Sequence, residues 1–483
     1  MDDGLGDLLR LTDRRPTDLA VIAGEARITV GEFRKAVAAV CRLLSQNDVH
    51  PSDAVGVPIQ RSHDTLVGIW GALCRGAIFV PFDMSGLPIH RYEGLVRALL
   101  VTRDNGGHHL IHWDNTKSRG KEHHQDLAYA MPTSGSSGAP KLVAITRDNV
   151  VAYSRALVSI LPLASQDRYL HLASLSASSS VRQWLAPLVS GATVVLASDN
   201  ARRDVGRLVQ ETVEAGVTVL DIVPSHFGAL VDWLRHQPSW ARRLGSGGLR
   251  TVVLASEPLY RETVLEWDRL GLAHVELVHM YGQTETAGVV LGGDGRAGRE
   301  DIGIVPIGQP LGETEVRLTD GPEGGKELVL HGKCIGAGYF MEAAGAWRLV
   351  PFPRRRDGGH NWYHTGDLVE KIGDELYFQG RMDGLVKVNG QGVSTVAVEA
   401  VIHDLKAVRA VVVGMHLSAG GPVLMAVVES DRPISAGEIR CKVRTKLPAN
   451  HVPTMIRFGK IPRTPNGKLD RRCALHDNSG SRR

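Results

Sequence analysis

The chain has 483 residues, 43% of them hydrophobic and 22% charged, an ordinary balance for folded globular protein and too much length for one compact core. Its 56 lysines and arginines against 52 acids leave a formal charge of +4; the tight basic clusters are confined to Arg354–Arg356 and the terminal Arg482–Arg483, which argues against a nucleic-acid surface. Five scattered cysteines without C-x-x-C spacing signal neither a zinc site nor a disulfide framework, the acidic start Met1–Asp7 is no signal peptide, and no window reaches eighteen apolar residues, so a cytoplasmic protein outside the membrane is expected.

In chain order, Thr29–Leu44 carries apolar residues at three-to-four spacing and is predicted as a helix. The polar stretches Thr102–His109 and Lys117–His124 are predicted as surface loops, their pairs His108–His109 and His123–His124 as exposed loop histidines rather than metal ligands. Leu127–Ala130 and Leu142–Thr146 have strand character and bracket a run, Pro132–Pro140, that can build neither helix nor strand. Ala192–Leu196 and Val217–Leu220 are short β-branched runs lying between helical patterns, an alternation that predicts α/β layers with substantially parallel sheet.

After about residue 300 the texture shifts to short strands and turns punctuated by Gly324–Gly325 and Gly358–Gly359. The last hundred residues read as strand Leu385–Val388, helix Ser394–Asp404, strands Ala410–Met415 and Pro422–Glu429, and helix Ser435–Leu447. The expected architecture is therefore α/β: a large multi-layer N-terminal domain, 1–382, with sheets flanked by helices, and a small α/β C-terminal domain, 383–483.

The run A-M-P-T-S-G-S-S-G-A-P-K-L, Ala130–Leu142, alternates hydroxyl residues with glycines and ends on a lysine. Exposed backbone N–H groups and freedom to take positive φ suit such a loop to an anion, above all a phosphate, although a flexible linker has the same composition. It is not a nucleotide loop of the strand-to-helix kind, since G-x-x-x-x-G-K-[ST] and G-x-G-x-x-G are both absent there.

Four further stretches follow it: Y-G-Q-T-E-T at Tyr281–Thr286, Y-H-T-G-D-L at Tyr363–Leu368, G-R-M-D-G-L-V-K-V-N-G at Gly380–Gly390, and P-R-T-P-N-G-K-L-D-R at Pro462–Arg471. In order and spacing the five together resemble the core motifs of the adenylate-forming superfamily, which includes acyl-CoA synthetases, luciferases and peptide-synthetase adenylation domains. The resemblance covers essentially the whole chain. It implies a mobile C-terminal domain and an ATP-dependent, Mg²⁺-assisted activation of a carboxylic acid as its acyl-adenylate.

Residue by residue, the resemblance implies that Thr133, Ser134, Gly135, Ser136, Ser137, Gly138 and Lys141 embrace the β- and γ-phosphates of ATP, with Leu142 departing from the family's glycine. Tyr281 and Gly282 would lie against adenine, Thr284 would hold the α-phosphate, and Glu285 would hold Mg²⁺, a hard cation that wants carboxylate oxygen. Asp367 would grip both ribose hydroxyls, assisted by Arg381. Lys468 would bridge the two anions that meet in the first half-reaction, and Asp383 would be the hinge on which the C-terminal domain rotates. Gly392 stands where many relatives carry a basic residue.

The acid pocket departs further. Where amino-acid-activating relatives anchor the α-ammonium with an aspartate, this chain has Ser178, so an ordinary α-amino acid is disfavoured. The same counting places Ser179, Arg182, Asp221, Val253, Ala255, Met280, Gly288 and Val289 around the acyl group. Arg182 and Asp221 either pair with each other, or Asp221 receives a remote amine and Arg182 a polar group of the substrate. Because the sequence ends at Asp477–Arg483, soon after Lys468, a freestanding enzyme is expected, passing its acyl group to the phosphopantetheine of a separate carrier protein in natural-product biosynthesis. Free CoA or a direct amine acceptor is the alternative, and a catalytically dead nucleotide-binding protein is the rival class.

Overall fold

The β-branched runs between helices assemble into one nine-stranded sheet in the computed structural model, which describes residues 5, 14–82, 92, 94–102, 106–112, 126–132, 141–299, 301–343, 346–357, 360–382, 386–388, 391–418, 421–464 and 467–476. The loop 133–140, the histidines 123–124 and Asp383 lie outside these. The sheet's centre is parallel: Leu19–Ala23, Thr193–Leu196, Arg168–His171, Val219–Ile222, Thr251–Ala255 and Glu276–Gln283 pair in that order. Antiparallel strands, among them Ala26–Thr29 and Gly288–Asp294, complete its two edges.

Both faces of this sheet are packed, as parallel strands require. Tyr169, Val219, Val253, Ala255 and Met280 belong to one buried cluster, while Leu170, Leu220, Val252, Leu254 and Leu277, one residue out of step, belong to another. The two-residue period thus decides which side chains can reach the site.

A second sheet, of eight strands, contains the antiparallel pair Leu127–Pro132 and Leu142–Thr146, with one register shift between Leu127 and Tyr129 and continuous pairing from Tyr129↔Ile145 to Pro132↔Leu142. In sequence, the predicted phosphate run falls between these two strands. The helix Val30–Gln46 starts where the sequence says it should, at a capping box in which Thr29 and Glu32 satisfy each other's backbone N–H. No described helix is long and apolar enough to cross a membrane.

One expectation fails. His108–His112 is a strand, antiparallel to Val96–Thr102 at the end of the eight-stranded sheet, not a surface loop. An edge strand needs only one packed face, so polar side chains are tolerated, and His108 Nε2 lies 2.9 Å from the Asp64 carbonyl oxygen.

The C-terminal segment has its own sheet, Val408–Ser418, Gly421–Ser430 and Met455–Phe458, and its own apolar cluster around Val398, Val411, Leu424 and Ile439. The helices Thr395–His403 and Ala436–Lys446 cover it, the second entered through a Ser435–Glu438 capping box. It touches the rest of the chain through a buried apolar cluster of Val396 and Ala400 with Ile304 and Tyr377, through a His403–Tyr260 ring stack at 4.5 Å, and through polar contacts: Tyr260 Oη donates to Glu399 Oε2 at 3.1 Å, Arg235 meets Asp431 at 2.7 Å, and Arg409 meets Asp232 at 2.8 Å.

Candidate active site

The strand Glu276–Gln283 runs out of the large sheet into a short 3-10 turn, Thr284–Thr286. That places Tyr281, Thr284 and Glu285 at the sheet's C-terminal edge. Tyr281 Oη donates to Asp367 Oδ2 at 2.6 Å, and Gln283 Nε2 donates to the same oxygen at 2.8 Å. Arg381 Nη1 approaches Asp367 Oδ1 at 3.3 Å. Asp367 is buried and Arg381 half-exposed, so the carboxylate is held from inside while its guanidinium partner faces the cleft. Gln283 Oε1 in turn accepts from Tyr363 Oη at 3.0 Å. Burial, reinforced by the neighbouring carboxylates, pushes the Tyr281 and Tyr363 phenols up, so both act as donors.

Glu285 accepts a hydrogen bond from Tyr339 Oη at 2.8 Å, and Lys141 Nζ lies 5.6 Å from the centre of the Tyr339 ring. Lys141, at the exit of the 133–140 loop, and Glu285 are thereby gathered around one aromatic residue. A single carboxylate beside the Thr284 hydroxyl fits Mg²⁺, which keeps most of its waters and takes one or two carboxylates together with phosphate oxygens. Gly282 has no room for a side chain: a Cβ there would meet the Gly288 carbonyl oxygen at 1.9 Å.

The predicted acid-pocket residues Ser178, Ser179 and Arg182 lie on the helix Ser178–Ser190. Ser178 Oγ and Thr284 Oγ1 share a hydrogen bond at 2.8 Å, joining that helix to the 3-10 turn Thr284–Thr286. One turn further on, Arg182 and Asp221 form a bidentate pair, Nε to Oδ2 at 2.7 Å and Nη2 to Oδ1 at 2.8 Å, both side chains fully buried. Tyr169 Oη also donates to Asp221 Oδ2, at 2.6 Å. Burial works against the Arg182 charge, and Asp221 outweighs it, so the guanidinium is held firmly protonated. Of the two alternatives for these residues, the fold pairs them with each other.

Val253 lies beside Asp221 in register, and Ala255 beside Met280, so all four share one face of the sheet. Gly288 has φ +139° and a Cβ there would stand 2.3 Å from the Tyr153 ring, which is why the position is bare beside buried Val289. Ser179 lines a small cavity with Arg182, Asp221 and His226.

Lys468 sits half-buried in a cleft of about 540 Å³ between the C-terminal segment and the rest, lined also by Arg381, Glu257, Tyr260, Val411 and Leu469. Burial pulls its pKa down, Glu257 opposes that pull, and Arg182 adds to it. The structure thus brings Lys468 to the same cleft as Arg381 and within electrostatic reach of Arg182. Sequence reasoning missed Gln283, Tyr339, Tyr363 and Glu257. Gln283 and Tyr363 lay inside quoted motifs without a role, and Tyr339 and Glu257 carried no local signal.

Among known proteins, the chain is 30% identical to an isonitrile lipopeptide synthase of Streptomyces coeruleorubidus over 95% of its own length, but 32% of that relative's. The chain spans about one third or less of the first curated relatives that it matches. Two solved structures share its fold: the anthranilate CoA ligase AuaEII in complex with anthranoyl-AMP, with TM-score 0.79 at 20% identity over 98% of this chain and 97% of that one, and ATP-bound MatB from Rhodopseudomonas palustris, with TM-score 0.78 at 20% identity over 98% of each. Residues 89–340, just over half of the chain, match the family model described as AMP-binding enzyme, and the chain belongs to that family.

Proposed function

We propose that this AMP-binding enzyme activates a carboxylic acid with ATP and passes the acyl group to a thiol. In the first step a carboxylate oxygen of the acid attacks the α-phosphorus of ATP, the bond from that phosphorus to the bridging oxygen breaks, and pyrophosphate leaves. In the second, a thiolate attacks the acyl carbon and AMP leaves. Asp367 and Arg381 hold the ribose, Tyr281 backs the adenine, and the 133–138 loop with Lys141 takes the β- and γ-phosphates. Mg²⁺ held by Glu285 neutralises phosphate charge when bound. Lys468 places its ammonium between the incoming carboxylate and the α-phosphate, where negative charge builds in the transition state.

The observation that carries this reading is the placement of Lys468: a lysine from the far end of the chain lines the same cleft as Arg381, the partner of Asp367. The acid is read as lacking an α-ammonium, because Ser178 offers a hydroxyl already engaged by Thr284 and Asp221 is occupied by Arg182 and Tyr169. The acceptor is read as the phosphopantetheine of a carrier protein, on the peptide-synthetase-like spelling of the motifs and the similarity to the isonitrile lipopeptide synthase. The segment from 383 on is read as the mobile part, pivoting at Asp383 between the two steps.

The test is acid-dependent pyrophosphate exchange across a panel of carboxylic acids, followed by transfer assays offering carrier protein or CoA. Lys468→Ala is expected to slow adenylation by a hundredfold or more, on the order of 3 kcal/mol in the barrier, and to leave transfer from supplied acyl-adenylate largely intact. Strong exchange with alanine or phenylalanine would overturn the substrate class, equal damage to both steps would overturn the role of Lys468, and transfer to CoA in preference to carrier protein would overturn the acceptor.

A further inference from the structure

The turn that carries Lys468 is held from two sides. Within itself, the Thr464 N–H donates to the Lys468 carbonyl at 2.8 Å, the Gly467 N–H donates to the Thr464 carbonyl at 2.9 Å, and Arg463 bridges Leu469. Its outside contacts fall on the first turn of the helix Pro224–His236, more than two hundred residues away in sequence. Ser225 Oγ donates to the Gly467 carbonyl at 3.1 Å, and Arg463 Nη1 donates back to the Ser225 carbonyl at 3.1 Å. The Ser225 N–H is engaged as well, donating to Glu257 Oε2 at 2.9 Å, and Glu257 is the carboxylate that opposes the pKa drop of Lys468. One serine therefore ties together Arg463, Gly467 and the carboxylate that favours the Lys468 charge.

His226 forms the wall beside it. Gly467 takes φ +82°, and a Cβ there would lie 3.1 Å from His226 Nδ1, so the turn lies flat against the imidazole. Burial lowers the His226 pKa to about 4, with Arg463 adding to the shift, and the ring that meets the turn is neutral at pH 7. A lysine is a point charge on a four-carbon stem with much rotamer freedom; its ammonium can be aimed only if its backbone is fixed.

We propose that Ser225 and His226 are positioning residues, a dock that seats Arg463 and Gly467 so that Lys468 meets the reacting atoms. The inference rests on the reading of Lys468 given above, but neither residue touches substrate in it. The dock acts on adenylation and is released when the C-terminal segment turns away, so its removal should slow one step and spare the other.

Ser225→Ala removes the Oγ bond and keeps the backbone contacts, which makes it the clean variant. Hydrogen exchange of the full chain is expected to show lost amide protection over residues 463–470 in Ser225→Ala, and the turnover of pyrophosphate exchange is expected to fall about tenfold with the KM for ATP within about twofold. Transfer from supplied acyl-adenylate should keep its rate, Ser225→Thr should restore both protection and exchange, and His226→Ala should reproduce the loss. Unchanged protection in Ser225→Ala would overturn the dock, and so would a parallel fall of adenylation and transfer. Should the wild-type enzyme exchange no acid at all, the functional reading fails by itself, while the comparison of protection still decides whether the dock exists.

Discussion

At the scale of single residues, the site divides into groups whose chemistry announced itself and groups whose partners did not. Asp367, Glu285 and Lys468 were singled out because each stands in a motif that resembles the family's, whereas taken alone each reads as an ordinary surface side chain. Gln283 and Tyr339 were not, because what matters about them is a hydrogen bond to a residue 84 or 54 positions away, and no local pattern encodes such a distance. The Arg182–Asp221 pair sits between these cases: two opposite charges in one predicted pocket were visible, and their bidentate geometry was not. Both are desolvated, so removing either strands the other. Arg182→Leu or Asp221→Leu is expected to cost about 3–5 kcal/mol in unfolding free energy, and the double replacement distinctly less than the sum of the two. Denaturant titration of the three variants checks this; additive losses would mean that the pair is not the unit it looks like.

At the scale of elements, the two longer helices of the C-terminal segment, Thr395–His403 and Ala436–Lys446, were read almost to the residue. Ser394 and Ser435 cap them with their own side chains, and a cap is a local signal. The strand Met455–Phe458 and the helix Arg471–His476 escaped, since four- and six-residue elements carry too little periodicity to be seen. The helix Pro224–His236 meets the C-terminal segment at both ends: Ser225 at its start, and near its end Asp232 and Arg235, which face Arg409 and Asp431. These four side chains are partly exposed, so each pairing contributes only up to about 1 kcal/mol and is screened by salt. Amide protection at the end of this helix is expected to fall as ionic strength rises, and Arg409→Ala should remove most of that salt sensitivity. An equal salt response in wild type and variant would show that the contact is held by something else.

At the scale of the whole molecule, two histidines lie where the C-terminal segment meets the rest. His226 is lowered to about 4 by burial and Arg463, with Lys468, Arg202, Arg182 and Asp221 also near it, and His403 is lowered to about 4 by burial against Tyr260, beside Glu399. A histidine whose folded pKa lies below its unfolded value of roughly 6.5 gives its full stabilisation above that value, and the stabilisation drains away as pH falls toward the folded pKa. The melting temperature is therefore expected to decline between pH 6.5 and 4 more steeply in wild type than in His226→Gln/His403→Gln. Matching slopes would show that neither ring is the titrating group.

The Arg182–Asp221 pair also bears on how such an enzyme could change its diet over generations. Point mutations arrive one at a time, and the first to strike either member leaves a lone charge inside the protein before any new acid can be gained. On the substrate pocket proposed above, drift to another acid by way of this pair must cross a folding valley or wait for two changes together, whereas the uncharged positions Val253, Ala255 and Met280 on the same sheet face can vary singly. On that reading, diversification is expected to be written first in those three side chains, with the ion pair inherited intact.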